Sequence, residues 1–136
     1  MEQHHVVTCF LMHRGRIMLV RRGRNVGTYR GKWAGISGYL ERPPLEQAFQ
    51  EIREETGLSQ DDVRLVREGA VVEAVDDEAD KQWMVHPFLF DVPEPEKIVL
   101  DWENVEYRWI LPQEIVDFET VPKLDEALEQ VLETGA

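Results

Sequence analysis

The chain has 136 residues, 43% of them hydrophobic, with 15 Lys and Arg against 27 Asp and Glu and a formal net charge of −12. That length suffices for one self-sufficient core, so residues 1–136 read as a single domain. The acidic balance argues against a general electrostatic footprint for nucleic acid, no apolar run approaches the ~20 residues of a membrane span, and the lone Cys9 permits no internal disulfide.

In chain order, the first five residues, Met1-Glu2-Gln3-His4-His5, lack the charged-then-apolar form of a secretion signal, so a cytoplasmic protein is expected. Residues 6–12 and 16–21 read as strands joined by a hairpin turn at His13-Arg14-Gly15. Residues 23–37, with Gly23, Gly27, Gly31 and Gly35, read as a long loop, and Trp33 is expected to pack beneath the segment that follows. A short strand starts at Gly38, Pro43-Pro44 suits a first helical turn, and a helix runs over 45–56 to a left-handed stop at Gly57. Residues 63–75 and 82–92 are strand-rich and are divided by Asp76-Asp77-Glu78-Ala79-Asp80, which reads as a solvated hairpin tip rather than a metal site. His86 and Cys9 sit in apolar strands as buried side chains. Residues 106–110 form a short strand and 112–118 a helical segment, and 124–132 form a helix with Leu124, Ala127, Leu128 and Val131 on one face.

The helix over 45–56 carries the chemistry. Leu45, Ala48, Phe49 and Ile52 make a core-facing stripe, and Glu51, Glu54 and Glu55 fall on the neighbouring arc of roughly 100°. Three carboxylates so close repel one another. A hard divalent cation such as Mg²⁺ relieves that repulsion through oxygen ligation, leaving positions for water and phosphate. The plainer reading is a solvated acidic helix face.

Residues 33–58, WAGISGYLERPPLEQAFQEIREETGL, decide between these. They resemble the signature of the Nudix hydrolase family, which runs Gly, five residues, Glu, seven residues, then Arg-Glu-hydrophobic-x-Glu-Glu-x-Gly-hydrophobic. Gly38 matches the opening glycine, and Glu51, Ile52, Glu54, Glu55, Gly57 and Leu58 match the second half. The junction between them is two residues short, so the signature's first glutamate is lost near Arg42-Pro43-Pro44, and Gln50 stands where the family has arginine. The resemblance implies an α/β/α sandwich with a mixed β-sheet, and Mg²⁺ or Mn²⁺ held by Glu51, Glu54, Glu55 and the Gly38 carbonyl.

Residues 102–115, WENVEYRWILPQEI, extend the resemblance to the family's glutamate-bearing loop, strand and following helix, the loop running through Asp101-Trp102-Glu103-Asn104-Val105-Glu106. Glu103, ahead of Glu106, is the expected second candidate, with Glu51, for general base. Seven of the 15 basic residues and no acidic one lie between Arg14 and Lys32. From this arm Arg22, Arg24 and Arg30 are the candidate phosphate contacts, and Tyr29 the candidate for stacking on a base. The resemblance thus implies a monomeric or homodimeric enzyme acting on a nucleotide or other diphosphate-containing small molecule, cleaving a nucleoside diphosphate from a group X. The alternative is a Nudix-fold binding or sensor module, for which Gln50 and the shortened junction speak.

Overall fold

Strand β1 (Glu2–His13) organises the molecule, which the computed structural model describes over residues 2–132. One edge of β1 runs parallel to β7 (Lys81–Asp91) from Glu2↔Lys81 to Met12↔Asp91. Its other edge is shared. Residues 11–13 pair with β2 (Arg16–Arg22), and residues 6–9 pair with β4 (Ile36–Tyr39). The split between β2 and β4 is where the cleft described below opens.

Around this centre β3 (Trp33–Ala34) and β8 (Asn104–Ile110) pair with β2, while β5 (Arg64–Glu68) and β6 (Val72–Asp76) pair with β7. All of these pairings are antiparallel, so the eight-stranded sheet is mixed. Alternation on the central strands serves two cores. Val7, Cys9 and Leu11 of β1, Met18 and Val20 of β2, and Phe88 and Phe90 of β7 face Ala48 and Ile52 of α1 (Pro44–Thr56). Phe10, Ile17, Leu19 and Leu89 face the opposite layer, built from α2 (Leu124–Val131) and the 3-10 turn Pro112–Asp117. The result is the expected α/β/α sandwich. Among the described residues no helix is long and apolar enough to cross a membrane.

Local sequence explains most element ends. Arg14 and Gly15 both have positive φ (50° and 78°), as a two-residue turn matched to the twist of a hairpin requires. Pro44 occupies the first turn of α1, and Gly57 (φ 75°) donates its N–H to the Arg53 carbonyl at the helix end. Three expectations change. Polar Glu2–His5 joins β1 because the β7 ladder extends that far. The predicted loop over 23–37 is interrupted by β3 and β4, leaving 23–32 irregular. Trp33 packs in the α2 layer, its ring 5.2 Å from that of Phe118, and not beneath the loop that leads into α1, whose Leu40 packs against the other core.

Candidate active site

The C-terminal end of α1 fixes the loop of Glu103 against Glu55. The Thr56 and Glu55 carbonyls lack helical partners, and they accept N–H bonds from Val99 (2.9 Å) and Asp101 (3.2 Å). Those bonds lead the chain directly into the loop that carries Glu103 and into β8, which begins at Asn104. Gly23 then donates to the Glu103 carbonyl (2.8 Å), and the Asn104 amide donates to Glu55 Oε1 (3.0 Å). Neither Asn104 nor its role was read from the sequence. In the sequence it fell in the loop ahead of the strand expected over 106–110, and its one signal was a polar side chain next to Glu103.

The cleft that results has a volume of about 450 Å³. Glu41, Glu51, Glu54 and Glu103 all lie on its wall, as does Arg22, whose charge acts on Glu103. Glu55 is not on the wall but just behind it, 3% exposed. Oε2 of Glu51 and Oε2 of Glu55 are buried without a hydrogen-bond partner. Burial, with the Glu54 and Glu103 charges next, pushes the Glu51 carboxyl up to about 8. Burial and Glu103 push Glu55 well above the usual carboxylate range, against the lowering pull of Asn104. Burial and Asp101 also raise Glu103, while Arg22 lowers it. Partnerless buried oxygens with suppressed acidity are what a cation-binding set looks like before it is neutralised. The oxygen-only chemistry of the set suits Mg²⁺ or Mn²⁺. No three His, Cys, Asp or Glu side chains are already gathered into a metal cage among the described residues.

Gly38 serves this site through the space it leaves. A Cβ there would lie 1.9 Å from Glu51 Oε1. Its carbonyl, by contrast, is turned into the sheet. The Leu40 N–H bonds the His5 carbonyl, so in this antiparallel register Gly38 and Val7 form the next hydrogen-bonded pair. The backbone groups that face away from β1 are those of Ser37 and Tyr39. Gly38→Ala should therefore displace the Glu51 carboxylate and weaken Mn²⁺ binding about tenfold, with a nearly unchanged melting temperature; tight Mn²⁺ binding by the variant in calorimetry would refute the cradle.

The other expected residues separate. Gln50 Nε2 donates to Glu54 Oε1 (2.9 Å), an uncharged donor in place of the family's arginine. Glu41, not singled out in the sequence, puts a carboxylate on the cleft despite the shortened junction, its N–H held by Gln47 Oε1 (2.9 Å). Its signal was its place three residues after Gly38. Arg22 lines the cleft and donates through Nε to the Thr28 carbonyl (2.9 Å). Arg24 is exposed and off the wall, and Arg30, also off it, staples the Val26 carbonyl (3.0 Å) because the loop folds back there. Tyr29 reaches the cleft, but its hydroxyl is bonded to Asp76 (2.7 Å). Glu106 pairs with Arg21 (3.2 Å) outside the cleft.

A pH dependence follows from the raised carboxyls. In metal-free protein the folded state keeps protons on Glu51 and Glu55 that the unfolded chain releases above about 4.5. Stability must then fall as pH rises from about 4.5 toward the folded values, about 8 for Glu51. Melting in EDTA should show a lower temperature at pH 8 than at pH 6, and Mn²⁺ should narrow the gap. A higher melting temperature at pH 8 would contradict the burial of these acids.

Fold and cleft together define an α/β/α protein with a carboxylate-lined site over one helix. A family model described as NUDIX domain matches residues 2–132, and the chain belongs to the Nudix family. The structure of a MutT protein from Methanosarcina mazei Go1 is similar at 24% identity, covering 94% of this chain and 91% of that one, with a TM-score of 0.72. A C. elegans Ap4A hydrolase in binary complex shares 12% identity over 96% and 94% of the two chains (TM-score 0.73). The E. coli dihydroneopterin triphosphate pyrophosphohydrolase shares 17% over 94% and 92% (TM-score 0.73). At these identities the structural likenesses carry the fold.

Proposed function

We propose that the protein is a cytoplasmic, metal-dependent hydrolase that cleaves the diphosphate linkage of a nucleoside diphosphate joined to a further group X. The observation that carries this is the pair of buried, partnerless oxygens on Glu51 and Glu55 beside a cleft of ligand size. The names of the similar structures, an Ap4A hydrolase and a triphosphate pyrophosphohydrolase, support hydrolysis without selecting a substrate.

Glu51, Glu54 and Glu55 would hold Mg²⁺ or Mn²⁺, which when bound supplies charge neutralisation on the diphosphate oxygens and acidifies water. The remaining work falls to the chain itself. Arg22, held by Thr28 on the same wall as Glu103, offers its charge to a phosphate oxygen. Glu103 or Glu51 accepts the proton of the attacking water. Gln50 and Asn104 hold Glu54 and Glu55 in place. The alternative, a nucleotide-binding module without efficient turnover, is supported by Gln50, whose amide brings no charge to its glutamate.

Phosphate products measured across a nucleotide panel, with and without Mg²⁺, test the two readings. Mg²⁺-dependent release supports the hydrolase, and saturable binding without release supports the module. Arg22→Ala should raise KM by the worth of one charged hydrogen bond, about 1.5–3 kcal/mol, whereas Arg24→Ala should be nearly silent. Equal KM effects from Arg22 and Arg24 would remove the wall assignment.

A further inference from the structure

β8 pairs with β2 along one edge, regularly from Ile17↔Ile110 to Arg21↔Glu106, and with no strand along the other among the described residues. The hairpin fixes which way its backbone points. His13 and Arg16 flank a two-residue turn and so form a hydrogen-bonded pair. Alternation then turns the N–H and C=O of Ile17, Leu19 and Arg21 toward β8. Arg22 points the other way, bonding Lys32 and Gly31 (both 2.9 Å). Ile110, Arg108 and Glu106 answer β2, which leaves the backbone groups of Tyr107 and Trp109 aimed out of the sheet. An open edge of this kind is a template for another strand. The remaining edges are less suited to a second copy. β6 carries Glu73 and Asp76 and no base, β5 is broken by an irregularity between Leu65 and Arg67, and β4 opens on the cleft.

The charges of β8 decide which partner its edge fits. Glu106 pairs with Arg21 (3.2 Å), whereas Arg108 lies over the Trp33 ring and pairs with no carboxylate among the described residues. Two copies of the strand can pair antiparallel about several axes. A twofold axis at Glu106 or Arg108 sets like charges directly opposite, which destabilises a pair, and one at Trp109 leaves both charges without a counterpart. An axis at Tyr107 sets each Glu106 against Arg108 of the other copy, at the position where side chains come closest. The outward groups of the two Tyr107 residues then exchange N–H···O bonds, and Val105 meets Trp109. We propose that β8 is a homodimer interface, at which a second copy of this chain continues the sheet across a twofold axis at Tyr107. Val105 is 62% exposed and Tyr107 39%, and the ladder covers both. The same register carries Leu111 and Pro112 of one copy toward Glu103 and Trp102 of the other, which lie on the cleft wall, so each cleft borders the other copy. The interface is isologous and at the small end for specific contacts, so the dimer dissociates in the micromolar range. It is independent of the hydrolase reading.

The test is sedimentation velocity of the full chain over a concentration series spanning the micromolar range, where the wild type should pass from monomer to dimer. Arg108→Glu and Glu106→Arg each set like charges against one another at both positions, and each should weaken dimerisation about tenfold or more. Mixed one to one, the two variants restore a Glu–Arg pair at both positions, and a heterodimer should form with about the wild-type affinity. Arg108 is exposed, so its replacement carries little risk to the fold. Tyr107→Pro removes the N–H at the axis, which has no partner within the chain, and should give a monomer with a wild-type circular dichroism spectrum. A monomer at every concentration would overturn the proposal. A dimer that survives both Arg108→Glu and Tyr107→Pro would place the interface elsewhere and overturn it equally. Two folded charge variants that stay monomeric when mixed would refute the axis at Tyr107.

Discussion

Glu55→Gln is expected to lower turnover about a hundredfold or more while leaving the metal-free protein at least as stable as before. Glu55 is 3% exposed, and burial with the neighbouring Glu103 charge keeps its carboxyl protonated well above the usual range. The glutamine has nearly the shape of that protonated form, and its oxygen can keep the bond from Asn104. What it cannot do is become an anion. The substitution thus separates two requirements that the glutamate serves together: packing behind the cleft, which survives, and ligation of a cation, which does not. Loss of Mn²⁺ affinity in calorimetry, alongside an unchanged or higher melting temperature in EDTA, is the expected pair of results. Wild-type Mn²⁺ affinity in the variant would mean that Glu55 is a buried structural acid and that the cation sits on the cleft wall without it.

The sequence made the scaffold of this site legible because its signals are local. Gly57 ends α1 through its own φ, and the stripe from Leu45 to Ile52 needs only helical periodicity to orient Glu51 and Glu54 together. The site's other half depends on contacts across long sequence separations. Asn104 meets Glu55 only because Val99 and Asp101 cap the end of α1. Glu41 reaches the cleft only because Gln47 holds its N–H over a shortened turn. The basic arm shows the limit of composition: Arg22, Arg24 and Arg30 read alike, but a strand residue at the β2–β8 irregularity faces the cleft and two loop residues do not. Glycine at 38 was legible as a position of the signature, whereas its use as space for Glu51 requires knowing that β4 presents that face to α1.

Glu103→Gln should reduce kcat by about ten- to a thousandfold with little change in KM. Glu51, Glu54 and Glu55 are proposed to be committed to the cation, which lowers their basicity toward a proton. Glu103 approaches from the other side, half-buried, its backbone fixed by Gly23 and by its own N–H on Asp101 Oδ1 (3.1 Å). Burial and Asp101 raise its carboxyl while Arg22 lowers it, so it is held as a stronger base than a surface glutamate yet beside a stabilising charge. Losing such a base should flatten the acidic limb of the pH–rate profile, since that limb reports protonation of the group that must accept the proton. A second consequence distinguishes this role from simple positioning. Glu103 is among the charges that raise Glu51 and the first charge that raises Glu55, so its neutralisation should also raise the melting temperature in EDTA at pH 8. A near wild-type kcat for Glu103→Gln beside a dead Glu51→Gln would move the base onto α1 and leave the loop carboxylate with only this electrostatic part.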